Sequence, residues 1–270
     1  MFYSVIATSI MYAIVKSLNN FSIYQIIFYK SFAILIITNT LILKKKIKIL
    51  GNNKKILFLR GILGLISMIF FFQSIKYLDL GISVSIRYSS PIFATIFALF
   101  FLKENIKTSQ WFYLFLSFTG VILIKIVGIE IDLLGFLYAL FSAILLGLVF
   151  VLTNKIGKTE NPLVIINYFM FVSFIFSALF SINNWIVPSF IENLMLLSSG
   201  LFGYVGLLFL TKSLQGGEVN VLAPLKYLEV ILSIIIGIYF FREIYTVFSL
   251  LGIFLILSGV ILNIIFKKNI

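Results

Sequence analysis

Apolar residues in this chain are gathered into long runs that are interrupted by charges, Pro, Asn and Gly. A helix needs about 20 apolar residues to cross the hydrocarbon core of a bilayer, which is about 30 Å thick. Because backbone in lipid must satisfy its own hydrogen bonds, we interpret the runs as helices. The pattern predicts ten membrane spans, with approximate limits 2–17, 22–43, 56–76, 80–102, 107–127, 132–153, 162–182, 193–213, 217–241 and 245–266.

Composition supports an integral membrane protein and excludes several kinds of chemistry. The chain is 61% hydrophobic and 11% charged, which is far from the balance of a soluble domain. It contains no Cys and no His, so thiol nucleophiles, the usual zinc and iron–sulfur sites, and imidazole acid–base catalysis are not available. We therefore expect no metal, no cofactor and no enzymatic activity.

The basic residues are distributed unequally between the two ends of the predicted spans. With the N-terminus in the cytoplasm, fourteen fall on the cytoplasmic side: Lys44, Lys45, Lys46, Lys48, Lys54, Lys55, Arg60, Lys103, Lys107, Lys155, Lys158, Lys212, Lys267 and Lys268. Four fall on the other side: Lys16, Lys76, Lys125 and Arg242. This asymmetry predicts that both termini are cytoplasmic, and it explains most of the net charge of +12 without nucleic acid.

An internal repeat becomes visible when the sequence is shifted by 139 residues. "FLKE" (101–104) then falls on "FFRE" (240–243), and Gly61 falls on Gly200. The shared polar positions pair Arg87 with Lys226, Tyr88 with Tyr227, and Tyr29 with Tyr168. We predict two repeats, residues 1–128 with spans one to five and residues 129–270 with spans six to ten. An odd number of spans per repeat inverts the second copy, an arrangement typical of secondary transporters with a site near the midplane.

The first span is unusually short. From Phe2 to Lys16 a helix covers only about 22 Å, less than the hydrocarbon thickness. The repeat places Phe2 on Phe141, well inside the sixth span, so the first span is about ten residues shorter than its equivalent. A cleaved signal peptide is a poor alternative, because no basic segment or small-residue cleavage site is visible. We expect either a shortened N-terminus or a genuinely short first helix.

Four ionisable residues lie well inside the predicted spans: Lys30, Arg87, Lys226 and Glu229. Each costs about 2.5–3.5 kcal/mol at a helix centre, so such residues normally face a cavity or a partner. In "APLKYLEV", Lys226 and Glu229 are three residues apart on one helical face, and Pro224 favours a local kink. The alternative for Lys30 and Arg87 is that their long side chains reach the headgroups.

These residues define the predicted substrate site. Cations could bind a carboxylate or phosphate, and Tyr rings could pack against a base or a cationic group. The candidate substrate-binding residues are Lys30, Arg87, Tyr88, Lys226, Tyr227, Glu229, Tyr29 and Tyr168. Glu229 could in addition carry a coupling proton.

Three segments carry a resemblance to a known family. "RGILG" in the third span, "PIFATIFALFFLKENI" in the fourth and "APLKYLEVILSIIIGIYFFRE" in the ninth resemble the EamA family of the drug/metabolite transporter superfamily. The resemblance implies ten helices in two inverted five-helix halves, a central cavity, and transport without ATP hydrolysis. "APLKYLE" and "IFYK" look most like bacterial S-adenosylmethionine carriers, in which both basic positions are usually Arg. By that resemblance Lys30, Lys226, Tyr227 and Glu229 would contact substrate, whereas Arg87 has no counterpart.

The sequence therefore predicts a secondary transporter of a small polar metabolite in the bacterial inner membrane. S-adenosylmethionine or an amino-acid-like compound is the leading candidate, and an amino-acid or drug exporter is the alternative. A channel or scaffold subunit, and an intramembrane enzyme, remain weaker hypotheses. The expected partners are a small-molecule substrate, the lipid bilayer, and a coupling proton or counter-substrate. We expect no nucleic acid, and a monomer or homodimer.

Overall fold

The computed structural model describes residues 2–101, 108–127, 132–216 and 228–268. These segments form helices α1 (Phe2–Ser17), α2 (Ile23–Lys44), α3 (Lys54–Tyr77), α4 (Leu80–Arg87), α5 (Ser90–Phe101), α6 (Thr108–Val127), α7 (Leu133–Ile156), α8 (Pro162–Ser181), α9 (Phe190–Gly216), α10 (Leu228–Phe241) and α11 (Val247–Lys268). Two short 3₁₀ turns, Gly157–Thr159 and Ile182–Asn184, follow α7 and α8. No strand occurs within these described ranges.

The helices confirm the ten apolar segments that the sequence predicts. Within the described part of the chain, six are long and apolar enough to cross a membrane, counting α4 and α5 together as the fourth span. The other four are shorter apolar helices: Phe2–Ser17, Trp111–Ile124, Leu228–Phe241 and Val247–Leu262. The first helix has 16 residues, about 24 Å, and agrees with the expectation of a short first span. Part of the ninth span, 217–227, lies outside the described residues.

The fourth span is not the continuous helix that its apolar run predicts. Helix α4 ends at Arg87 and α5 begins at Ser90, which leaves Tyr88 and Ser89 between them. Pro91 contributes to this interruption, because it has no N–H to donate to a carbonyl in the preceding turn. Discontinuous helices at midplane are a usual means of building transporter sites. The interruption places Arg87 and Tyr88 at a helix end in the middle of the bundle.

Helix packing follows a pseudo-twofold relation between the halves. Helix α3 packs on α7 and α8, and its repeat equivalent α9 packs on α1 and α2. Two of the most extensive contacts, α2 with α8 and α6 with α11, join each helix to its own equivalent, and α5 packs on α7 as α10 packs on α1. Since each half contributes five spans, the second half is inverted relative to the first.

Paired glycines follow the same symmetry. A Cβ built on Gly61 would lie 3.5 Å from Cα of Phe169. One built on Gly200, the repeat equivalent, would lie 3.4 Å from Cα of Lys30, which is the repeat equivalent of Phe169. Both glycines allow the helix backbones to approach closely, as small residues do between membrane helices.

Candidate substrate site

Glu229 lies at the contact between the halves and is completely buried. It lies in the first turn of α10 in the second half, and Thr8 of α1 donates a hydrogen bond from Oγ1 to its Oε2 at 2.7 Å. Tyr12 and Tyr88 interact electrostatically with the same carboxylate. Three hydroxyl-bearing residues of the first half thus meet one carboxylate of the second half.

The repeat does not reproduce this carboxylate. Under the 139-residue shift, Thr8 corresponds to Gly147 and Glu229 to Ser90. Those two residues also meet, because a Cβ on Gly147 would lie 3.0 Å from the carbonyl oxygen of Ser90. The same helix contact therefore occurs twice, but only one copy carries a charge. The scaffold is symmetric and the chemistry at its centre is not.

Lys30 of α2 points into the interior and not toward headgroups. Only 4% of the residue is exposed, and its Nζ lies 3.3 Å from Sδ of Met68 and 4.9 Å from the centroid of the Phe72 ring. Gly203 provides room, since a Cβ there would lie 2.9 Å from Cε of Lys30. Within the described ranges, no carboxylate oxygen lies within 4.0 Å of this ammonium group. This placement argues against the headgroup alternative for Lys30.

Arg87 completes the cluster from the broken fourth span. Its guanidinium carbon lies 3.9 Å from the centroid of the Phe71 ring on α3. It also interacts electrostatically with Lys30, Tyr12 and Tyr88. Arg87 therefore links Lys30 to the two tyrosines that interact with Glu229. We call this the central cluster: Thr8, Tyr12, Lys30, Arg87, Tyr88 and Glu229.

The structure does not bring every candidate residue into the central cluster. Tyr29 stacks on Trp185, with ring centroids 5.7 Å apart and planes at 27°. Tyr168 donates a hydrogen bond from its hydroxyl to the carbonyl of Leu50, in the connection between α2 and α3, at 2.9 Å. Through these contacts both residues hold neighbouring segments together, and neither contact involves the central cluster. Lys226 and Tyr227 lie outside the described residues.

Sequence reasoning missed three interior residues. Thr8 and Tyr12 carry no charge, and the repeat gives no signal because Thr8 corresponds to a glycine. Arg60 was grouped with the cytoplasmic cations, but it is 4% exposed and its guanidinium carbon lies 5.0 Å from the Phe169 ring centroid. Its apolar neighbours in "LFLRGILG" were the available signal.

A second charged cluster closes the bundle at the end where α1 finishes. Lys16 and Glu243 form a salt bridge with side chains that are 12% and 4% exposed. The Glu243 carboxylate also accepts the Leu80 N–H, at 2.9 Å and 3.0 Å, and the hydroxyl of Tyr245. Burial and the adjacent Glu243 raise the pKa of Tyr245, which keeps this hydroxyl protonated as a donor. We call this group the end latch, because it joins α1 and α4 of the first half to the α10–α11 connection of the second.

Comparison with known proteins agrees with this architecture. The family model described as "EamA-like transporter family" matches residues 1–126 and 133–265. A solved crystal structure superposes with a TM-score of 0.72 over 99% of this chain and 96% of the other, at 17% identity, which establishes likeness of fold alone.

Two curated relatives show the same family relation in sequence. Solute carrier family 35 member G1 of Homo sapiens is 32% identical over 80% of this chain and 64% of its own length. The S-adenosylmethionine uptake transporter of Rickettsia bellii (strain RML369-C) is 26% identical over 68% of this chain and 64% of its own length. The chain thus spans a little under two thirds of these relatives. The family model covers almost all of the chain, and the chain belongs to the EamA-like transporter family.

Proposed function

We propose that this EamA-family transporter is a secondary carrier for a small polar metabolite that bears a carboxylate, and that the central cluster is its substrate site. The observation that carries the proposal is a cluster of interior charges where the two halves meet: Arg87 interacts electrostatically with buried Lys30, and both Arg87 and buried Glu229 interact with Tyr12. A zwitterionic solute fits such a site, because both cations and an anion are available to it there.

The positive and negative side chains of the site indicate which group of the solute each would bind. The carboxylate would face Lys30 and Arg87, neither of which has a carboxylate within 4.0 Å in the described part of the chain. A cationic group would face Glu229 and the rings of Tyr12 and Tyr88. S-adenosylmethionine has a carboxylate, an ammonium, a sulfonium and a purine, and is the leading candidate. Lys226 and Tyr227 are expected to join the same site.

Alternating access would proceed by movement of the two pseudo-twofold halves around this cluster. The broken fourth span allows α4 and α5 to tilt separately, and the end latch would close one end in the present state. We further propose a bacterial inner membrane location with both termini in the cytoplasm, so that the latch lies at the outer end. Residues 1–128 and 129–270 would be the two moving units.

The test is uptake of labelled S-adenosylmethionine into proteoliposomes. Glu229→Gln keeps an oxygen that can accept the Thr8 hydroxyl but removes the charge, so folding should be retained. We expect the half-saturating concentration to rise about 10- to 100-fold, the effect of losing a charge-assisted hydrogen bond. The matched control is Glu192→Gln, at the start of α9, where the carboxylate accepts the Ser189 N–H and a Gln oxygen can replace it.

Each outcome discriminates between hypotheses. Saturable uptake that Glu229→Gln leaves unchanged would contradict the assigned role of this carboxylate. An absence of S-adenosylmethionine flux, with saturable flux of amino acids or drugs in the export direction, would favour the exporter alternative. Flux without saturation would favour a channel.

Glu229 is also our candidate for the coupling proton. It is buried and surrounded by hydroxyl groups that could hold it in either protonation state. The proposal predicts that a pH gradient accelerates uptake by the original protein and does not accelerate uptake by Glu229→Gln. Equal acceleration of both proteins would remove this role.

A further inference from the structure

A buried cation outside the central cluster has no counter-charge among the described residues. Arg60 of α3 is 4% exposed, and its Nη1 nitrogen is buried without a hydrogen-bond partner among the described residues. Its Nε faces Oγ1 of Thr153 at 3.5 Å, and its guanidinium carbon lies 5.0 Å from the Phe169 ring centroid. Neither contact supplies a negative charge, and no carboxylate of the described ranges lies within 4.0 Å.

An uncompensated charge at such a position is strongly unfavourable unless an anion or water satisfies it. The face of Phe169 offsets only part of this cost. A guanidinium group presents several N–H donors in a planar fork that matches carboxylate and phosphate oxygens. The free nitrogen of Arg60 is therefore a donor suited to an anionic group that is not part of the described protein.

Arg60 lies on the same face of α3 as the residues that contact the central cluster. Eleven residues, about three turns, separate it from Phe71, so the two side chains share one face of the helix about 16 Å apart. Phe71 lies under Arg87, and Met68 on the same helix contacts Lys30. The face of α3 thus leads from the two central cations to Arg60, toward the end at which α3 begins.

The pseudo-twofold relation connects the surroundings of Arg60 with the position of Lys30. Phe169, which packs against Arg60, is the repeat equivalent of Lys30. Each is the eighth residue of its helix, α8 and α2, so the two positions lie at equal depth from opposite ends of the bundle. One position holds a lysine, and the other holds Phe169, against whose ring the guanidinium of Arg60 packs from the facing helix. A buried cation therefore lies at one position and beside its equivalent.

We propose that Arg60 is a second anion-binding station, which takes the carboxylate or phosphate group of the transported solute between the central cluster and the end at which α3 begins. This inference rests on the proposed carrier function and deepens it. In the proposed topology the station lies on the cytoplasmic branch of the route. An anionic group leaving Lys30 and Arg87 would thus exchange one cation for another.

The first test compares the two faces of oriented proteoliposomes with a matched pair of probes, S-adenosylmethionine and its decarboxylated form. For Arg60→Met we expect the half-saturating concentration of S-adenosylmethionine to rise about tenfold or more at the cytoplasmic face and to stay unchanged at the outer face. Decarboxylated probe should show no such rise. Arg60→Lys should retain much of the affinity, and Lys55→Met, an exposed residue of the same helix, should behave like the original protein. Equal losses at both faces, or for both probes, would overturn the proposal.

A second readout does not depend on the identity of the substrate. Inorganic phosphate should raise the Tm of the purified protein in detergent, because binding to the folded form stabilises it. Arg60→Met should reduce this shift, and Arg60→Gln serves if the Met variant fails to fold. If S-adenosylmethionine is not carried but the rise in Tm with phosphate requires Arg60, the substrate assignment is wrong and anion binding at Arg60 is supported. Stabilisation by added phosphatidylglycerol but not by phosphate would assign Arg60 to a lipid headgroup and overturn the proposal.

Discussion

The end latch allows a quantitative prediction, because its two charges are almost fully withdrawn from water. Lys16→Met removes the ammonium group from a carboxylate that is 4% exposed, and leaves Glu243 with the Leu80 N–H and the Tyr245 hydroxyl. Breaking a buried pair from one side costs about 3–5 kcal/mol. The remaining donors satisfy part of the charge, so we expect about 3 kcal/mol.

This cost corresponds to a fall in Tm of about 6–12 °C for a protein of this size, taking about 2–4 °C per kcal/mol. Differential scanning fluorimetry in detergent, with Trp fluorescence as the signal, would measure it. Lys55→Met is the matched control, since it makes the same side-chain change at an exposed position and should leave Tm within about 1 °C.

A double-mutant cycle separates the ion pair from other effects of the substitution. Glu243→Gln should also lower Tm, and the double variant Lys16→Met/Glu243→Gln should lose less than the sum of the two single variants. We expect a coupling of about 1–3 kcal/mol, as for residues that share a buried network. Additive losses, or a Lys16→Met variant as stable as Lys55→Met, would refute the view that this pair joins the halves.

Two further predictions concern packing and pH. Gly200→Ala should lower Tm more than Gly61→Ala, because the new Cβ would lie 2.5 Å from Cβ of Ala33, whereas at Gly61 the nearest atom is 3.3 Å away. We expect Gly200→Ala to lower the free energy of unfolding by about 1–3 kcal/mol. An equal loss at both sites would contradict the packing argument. Asp79→Asn should raise Tm at pH 7.5. Burial, followed by the charge of Glu243, raises the pKa of Asp79. A carboxyl group whose pKa is raised in the folded protein lowers stability as pH rises through that pKa. The gain in Tm should shrink as the pH falls toward the ordinary pKa of Asp, and a gain that does not depend on pH would refute this argument.

The sequence was sufficient for most of the architecture because the bilayer imposes a simple rule. Span length and apolar content predict ten segments, and charged and glycine positions in register predict the duplication. The apolar rule failed to find the break at Tyr88 and Ser89, because it counts hydropathy and does not register a lost backbone hydrogen bond. The end latch was also missed, since Lys16 and Glu243 are distant in sequence and each alone resembles an ordinary loop charge.

The candidate site was partly predictable for a related reason. Charge inside a span identified Lys30, Arg87 and Glu229 from composition alone, because such residues are costly and need a partner. Charge could not identify Thr8 or Tyr12, whose role depends on where α1 packs against α10. It also could not separate Tyr29 and Tyr168, which pack elsewhere, from Tyr88, which lies beside Glu229.

By itself, the sequence determined a helical membrane protein made of two related halves with cations buried in its interior. Tertiary structure decided which charges meet, because the pseudo-twofold packing brings together residues more than 200 positions apart, such as Thr8 and Glu229. It also decided that Arg60 faces an aromatic ring and not the headgroups. The physical reason is that hydropathy is summed along the chain, whereas electrostatic pairing depends on distances that only helix packing sets.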